Sequence, residues 1–318
     1  MVGSGRNSTP FIALGLAHSA DGSRGVRSFV FATGAGAIDL GGAARGPGYF
    51  GPAHSGPASV ALLDDGMRGA HVFTHAVGGL RLAPFVFVSD PMVADLTIGG
   101  ACPSSRCIAE FNGNFAVLRG PTTLSLIEVS TATALVGTAT SVAMGTSAGA
   151  IRSIGQGALV TYSLGGACIL QRWPDRAAST AAITVLACRQ LDMAELSDGQ
   201  IALTWIDSTF DVRVALTDAA LTVLTAEGIL DGAQSALQPA EVNATSSGFR
   251  VTWLDDLPTP LLRSVRFNAA GTPQTSECAA TPTHVLADYR QFHAVRRGST
   301  SAVEWVQDND FYGVTYTD

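Results

Sequence analysis

The chain has 318 residues, of which 47% are hydrophobic and only 14% charged, against about 25% charged in an ordinary globular protein. Its net charge of −7 and scattered basic residues, all 19 of them arginine, exclude a phosphate-backbone binder, which needs clustered cations; Arg263, Arg266, Arg290, Arg296 and Arg297 give only a weakly basic C-terminal region. No run of 18 apolar residues exists, which excludes a membrane-spanning helix. The absence of lysine, with abundant alanine and glycine, reads as a base-composition bias of the source genome. Residues 1–9 lack a hydrophobic signal segment and read as a trimmed start with a small linker, set apart from the fold.

From residue 10 onward one phrase recurs seven times: an apolar strand, a turn carrying glycine, and a second apolar strand that often ends in an aromatic. The turn glycines are Gly22, Gly66, Gly113, Gly157, Gly199, Gly248 and Gly298, at steps of 44, 47, 44, 42, 49 and 50 residues. Upstream of them stand Ala13, Ala61, Ala109, Arg152, Ala194, Val242 and Ala294. Downstream, the second strand reads Arg-Ser-Phe-Val-Phe at 27–31, His-Val-Phe-Thr at 71–74 and Ala-Leu-Thr-Trp at 202–205, with close relatives at 115–118, 159–162, 250–253 and 302–305. A period in the forties with about four short strands per unit marks the blade of a β-propeller. The expected fold is therefore all-β, a seven-bladed β-propeller of four-stranded antiparallel blades. It forms a single domain over residues 10–318, with blades at about 10–57, 58–103, 104–147, 148–190, 191–236, 237–287 and 288–318. The 35 glycines and the low charge follow from many tight turns between half-buried strands.

In chain order, residues 41–52 are rich in Gly and Pro and predict a long rim loop, while 131–140 fits an outer strand of the third unit. Cys102 and Cys107 bracket Pro-Ser-Ser-Arg and can close a small loop. Cys168 and Cys188 lie nearly equidistant from residue 178, as cross-strand partners in a hairpin would, and Cys278 is left over. Two disulfides, Cys102–Cys107 and Cys168–Cys188, place the chain in an oxidising setting, extracellular or at the cell surface; buried free thiols are the alternative. The fifth unit reads as strands at 192–196, 200–205, 211–216 and 221–225, and the sixth repeats the pattern. Only 218–220 and 234–237 admit a helical turn. The seventh unit offers three strands, 291–296, 301–307 and 311–317, so its last blade is three-stranded or the chain is cut from a longer protein.

The best second strands end in related words: Trp205-Ile-Asp207, Trp253-Leu-Asp255-Asp256 and Trp305-Val-Gln307-Asp308. Structurally, such a Trp packs between blades and the Asp satisfies turn amides; functionally, acids beside aromatics can hold a sugar or a cation. With the glycine turn, these words resemble those of bacterial extracellular β-propeller repeat proteins over nearly the whole chain. The sialidase-type Asp box is half echoed at 246–253, where its Asp is missing, and no specific family follows.

Catalytic motifs are absent: no nucleophile elbow, no phosphate loop, no dinucleotide fingerprint. His71 and His75 on one strand stand about 13 Å apart and cannot share an ion. No cofactor is expected; Asp-Asn-Asp-Phe-Tyr-Gly at 308–313 offers at most a casual Ca²⁺ site, lacking the spacing and the Glu of a calcium loop. If a ligand site exists, the loops sharing one rim are its place. The candidate residues there are Tyr49, Phe50, His54, Arg106, Arg189, Asp207, Asp255, Tyr289, Arg290 and Asp308. The expected function is a secreted or cell-surface module binding a carbohydrate or an extracellular protein through that rim. The alternatives are a hydrolase or lyase with an acidic or metal site at the central channel, and a structural domain of a larger surface protein.

Overall fold

The computed structural model describes residues 11–18, 24–31, 49–50, 59–62, 68–75, 79–86, 96–104, 106–120, 122–130, 133, 135–146, 149–175, 181–222, 228–230, 240–255, 261–278, 291–297, 300–307 and 310–317. The chain forms two compact units, residues 1–162 with 173–178, and residues 163–172 with 179–318. Among the described residues every regular element is a strand.

In the first unit, β1 (Phe11–His18), β2 (Arg24–Phe31) and β3 (Tyr49–Phe50) make a three-stranded sheet. β4 (Ser59–Leu62), β5 (Arg68–His75), β6 (Gly79–Val86) and β7 (Leu96–Thr97) make a four-stranded one. A second four-stranded sheet follows from β8 (Ile108–Phe111), β9 (Asn114–Arg119), β10 (Thr123–Val129) and β11 (Thr140–Met144). β12 (Gly149–Ser153) then pairs with β13 (Ala158–Leu164).

In the second unit, β14 (Ala167–Trp173) pairs with β15 (Ala182–Val185) through Cys168–Gln171. β16 (Cys188–Glu195), β17 (Ile201–Asp207), β18 (Val212–Thr217) and β19 (Gly228–Leu230) form one four-stranded sheet. β20 (Glu241–Thr245), β21 (Gly248–Asp255), β22 (Leu261–Asn268) and β23 (Pro273–Cys278) form the next. β24 (Gln291–Arg297), β25 (Thr300–Gln307) and β26 (Asp310–Thr317) close the sequence as three strands. Every described strand pairing is antiparallel, and each of the seven predicted phrases is an antiparallel hairpin: β1–β2, β4–β5, β8–β9, β12–β13, β16–β17, β20–β21 and β24–β25.

Period-two patterning sorts the β20–β22 residues onto an apolar and a polar face, and both faces are buried. On β20–β22, Val242, Phe249, Val251, Trp253, Val265 and Phe267 share one apolar face. That face packs against Ala194, Ala202, Val212, Val214 and Leu216 of the preceding sheet. Directly opposed Phe249 and Phe267 stack with ring centroids 4.8 Å apart, which pins the register. The opposite face carries Glu241, Asn243, Thr245, Arg250, Thr252 and Ser264, also buried. In the first unit, β4–β7 packs Ala61, Ala70, Val72, Leu80 and Leu82 against Ile108, Phe115, Val117 and Ile127.

Within each unit the leading strands of successive sheets lie side by side: β4 by β8, β8 by β12, β16 by β20, and β20 by β24. Polar bonds tie them together. The Cys107 amide donates to Ser59 Oγ at 3.2 Å, Ser153 Oγ donates to the Glu110 carbonyl at 2.8 Å, and the Val242 amide donates to buried Asp192 Oδ2 at 2.8 Å.

Three local expectations need correction. Residues 131–140 are not the outer strand of their sheet; β11 begins at Thr140, after a bridge between Val129 and Val136. The outer strand of the β16 sheet is Gly228–Leu230 rather than 221–225. Asp218 takes the Thr222 amide at 2.7 Å and the Thr222 hydroxyl, which folds 218–222 into a turn and consumes the start of the expected strand. The same bonds make 218–220 part of that turn, while 234–237 lies outside the described residues. Both disulfides form, but Cys168 faces Val185 across the β14–β15 hairpin while Cys188 opens β16. The second disulfide therefore links consecutive sheets instead of spanning one hairpin.

Candidate functional site

Residues 208–211 connect β17 to β18, and the three-residue turn 208–210 is closed by the Asp207 amide donating to the Asp211 carbonyl at 3.0 Å and the Phe210 amide donating to the Asp207 carbonyl at 3.2 Å. The third position of such a loop takes a left-handed conformation, where glycine is favoured. The chain builds related turns at 196–200, 218–222 and 268–272, whose corresponding residues are Gly199 at φ +85°, Leu221 at +57° and Gly271 at +78°. At 210 the residue is phenylalanine, at φ +68°. A bulky side chain there costs about 1–2 kcal/mol. Leu221 offsets that cost by burying its side chain, 3% exposed. Phe210 remains half-exposed, so core packing does not explain it.

Asp207 holds this strained turn. Its Oδ1 accepts from the Thr209 amide at 2.8 Å and the Asp211 amide at 3.0 Å; Oδ2 accepts from Arg213 Nε at 2.8 Å. Thr209 Oγ1 lies 2.6 Å from Asp207 Oδ1 and 3.1 Å from Asp211 Oδ2, with one proton to give between them. Burial by itself raises the Asp207 pKa, but the bonds from Thr209, Asp211 and Arg213 outweigh it and bring the carboxyl below its ordinary value. A depressed folded-state pKa contributes stability that is present above the unfolded carboxyl pKa, about 3.9, and is lost as pH falls through the folded value. Unfolding free energy followed from pH 6 down to 2 should accordingly fall less steeply for Asp207→Asn than for the native chain. Identical acid limbs would overturn this role for Asp207.

Arg189 reaches the same place from β16. Cys188 pairs with Asp207 and Gln190 with Ile206, so Arg189 is the extra residue of a β-bulge. Bulges re-aim side chains. Here the guanidinium carbon sits 3.9 Å from the Phe210 ring centroid, a cation–π stack on an exposed surface. The residue before it, Cys188, is anchored to Cys168, and the Ser163 hydroxyl donates to the Arg189 carbonyl at 3.4 Å. A strained aromatic, a bulged arginine and a four-donor aspartate thus converge at one end of the β16–β19 sheet.

Of the predicted site residues, the structure joins Arg189 and Asp207. Asp207 is buried and fully bonded, so its part is to shape the turn, and Trp205 beneath it is core. Arg106 belongs to the first unit, half-buried, its amide bonded to Ser104 Oγ and its carbonyl to the Ile151 amide. Tyr49 and Phe50 form β3 and Asp255 ends β21, positions described for the backbone only. His54, Tyr289, Arg290 and Asp308 lie outside the described residues, as does the start of the 308–313 calcium candidate. His71 and His75 share strand β5. No group of three or more His, Cys, Asp or Glu residues poised for a metal occurs among the described residues. Sequence reasoning missed Phe210 and Arg213. The usable signal was an aromatic at a turn position that related turns of the chain fill with glycine or a core residue.

No family model matches the chain, and no curated protein sequence does. Solved structures do. A lectin from Burkholderia pseudomallei has a TM-score of 0.72 at 15% identity, covering 99% of this chain and 95% of its own. A periplasmic gluconolactonase from Pseudomonas aeruginosa has a TM-score of 0.60 at 15% identity, covering 96% and 99%. A six-bladed β-propeller lectin from Aleuria aurantia, described for its fucose recognition, has a TM-score of 0.51 at 13% identity, covering 82% and 90%. At these identities the likeness speaks for the fold and not the chemistry: the chain is an all-β protein resembling the β-propellers, built of antiparallel sheets.

Proposed function

We propose that this chain is a carbohydrate-binding β-propeller module that takes its ligand at the Arg189–Phe210 end of the β16–β19 sheet. The observation that carries this reading is Phe210, held half-exposed in a left-handed conformation that no core contact repays. Strain of this kind concentrates at functional sites. An exposed ring offers the C–H face of a sugar a stacking platform, and the neighbouring guanidinium offers hydroxyl and carboxylate groups a row of donors. The likeness to two lectin structures supports carbohydrate as the ligand class. Seven hairpins at steps of 42–50 residues support seven blades in one domain over 10–318. The two disulfides suit an oxidising compartment, outside the cell or at its surface.

A glycan array followed by calorimetry tests this reading. Phe210→Gly is expected to weaken binding by about thirty-fold, an interface anchor's share, while leaving thermal stability unchanged or slightly raised, because glycine relieves the backbone. Silence of the native protein on every glycan would remove the proposal. The likeness to a gluconolactonase favours a second reading, hydrolysis of a sugar lactone, with buried Asp192 and Glu241 on β16 and β20 as the acids to replace. Turnover of glucono-1,5-lactone abolished by Asp192→Asn or Glu241→Gln would establish it.

A further inference from the structure

We propose that Arg189 makes this an anion-selective site, one that prefers sugars bearing a carboxylate or a sulfate ester over neutral ones. The inference rests on the carbohydrate reading above and names the class of sugar. Its ground is the way the guanidinium is presented. The guanidinium carbon lies 3.9 Å from the centre of the Phe210 ring, so the ring covers the group from one side. Arg189 is exposed, and no acceptor for its side chain occurs among the described residues. One ion pair forms elsewhere in the cluster. Asp207 is bonded to Arg213, and Asp211 has the Thr209 hydroxyl within reach of its carboxylate. Arg189 is in no ion pair among the described residues, and its backbone is fixed by the bulge and by the Cys188 anchor.

A guanidinium whose N–H groups are open to solvent matches a two-oxygen anion through paired hydrogen bonds. A neutral hydroxyl can use only one of them. The stacked ring also keeps water from one side of the cation, which strengthens the contact. Sugar acids and sulfated sugars share this chemistry, and the experiment separates them.

Titration calorimetry of the native protein would use tetragalacturonate, its full methyl ester and a sulfated carrageenan tetrasaccharide, whose only anionic groups are sulfate esters. Tetragalacturonate is expected to bind about ten-fold tighter than the ester, a charge-assisted pair's worth, with the advantage shrinking as salt rises. Arg189→Gln should bring the two affinities together, and Arg189→Lys should restore only part of the difference, because a point charge lacks the fork. Preference for the sulfated tetrasaccharide, lost in Arg189→Gln, supports the proposal with sulfate as the source of the anion. Equal binding of acid and ester by the native protein, or a preference that survives Arg189→Gln, would overturn it while leaving the carbohydrate reading intact. Silence toward all three and toward a neutral glycan array would overturn both.

Discussion

Replacing Gly157 by alanine is expected to destabilise the protein by about 3 kcal/mol or more, at the top of the range for single substitutions. Two effects act together. Gly157 sits at φ +82°, which an L side chain rarely adopts, and a Cβ built on it would stand 2.0 Å from the Trp173 carbonyl oxygen and 2.7 Å from Pro174 Cα. Those atoms are backbone and cannot swing aside. They are also held by the turn of the preceding hairpin: Asn112 Nδ2 donates to the Pro174 carbonyl at 2.9 Å, and Asn112 Oδ1 accepts the Gly157 amide at 2.9 Å. A methyl group must therefore break this clamp or move the β12–β13 turn away from buried Trp173. Gly165→Ala separates the two causes. Gly165 has φ +60° and nothing within 4 Å of its would-be Cβ, so that variant bears the backbone penalty alone, about 1 kcal/mol. Denaturant titration of the two variants would refute the argument if Gly157→Ala lost no more than Gly165→Ala.

Removing the Cys168–Cys188 disulfide is the second large effect. A closed loop of 20 residues is worth about 3 kcal/mol through the unfolded chain's lost freedom. Both cysteines are buried, 1% and 4% exposed, so alanine at each position is the gentlest replacement. Because the bond ties β14 to the first residue of β16, its loss also releases the anchor beside Arg189. The paired Cys168→Ala, Cys188→Ala variant should lower the unfolding midpoint by several degrees and weaken whatever ligand the Arg189–Phe210 pair holds. A pair of alanines that leaves both midpoint and affinity unchanged would show that the bulge is held by the sheet alone. Cys102 and Cys107 close a loop only five residues apart, so their removal should cost less.

The parts of the fold that could be read from residues alone are those with local causes. Alternation of apolar and polar residues defines a strand within six or eight residues, and a glycine able to take positive φ defines the turn between two of them. Gly113, Gly157 and Gly199, picked out as turn residues, have φ between +80° and +85°. The three terminal strands near 291, 301 and 311 likewise appear as β24, β25 and β26. Outer strands were harder. Gly228–Leu230 and Thr140–Met144 are short, half-exposed and weakly patterned, and they pair where an inner neighbour leaves hydrogen-bonding groups open.

The site shows the same division. Arg189 and Asp207 stood out as charged residues at strand ends, and the Asp207 carboxylate bonds the turn amides that a Trp-x-Asp word leads one to expect. Nothing in the run Ser-Thr-Phe at 208–210 states that its ring will meet an arginine 21 residues upstream. That meeting needs a bulge at one strand's start, a three-residue loop at another's end, and the register that sets Cys188 opposite Asp207. Pairing register is a property of two strands at once, and a disulfide partner is a property of two sheets. Hairpins, their number and their glycines follow from the chain's short-range pattern. Which side chains share the exposed end of a sheet follows only once hydrogen bonding and packing between distant segments have been satisfied together.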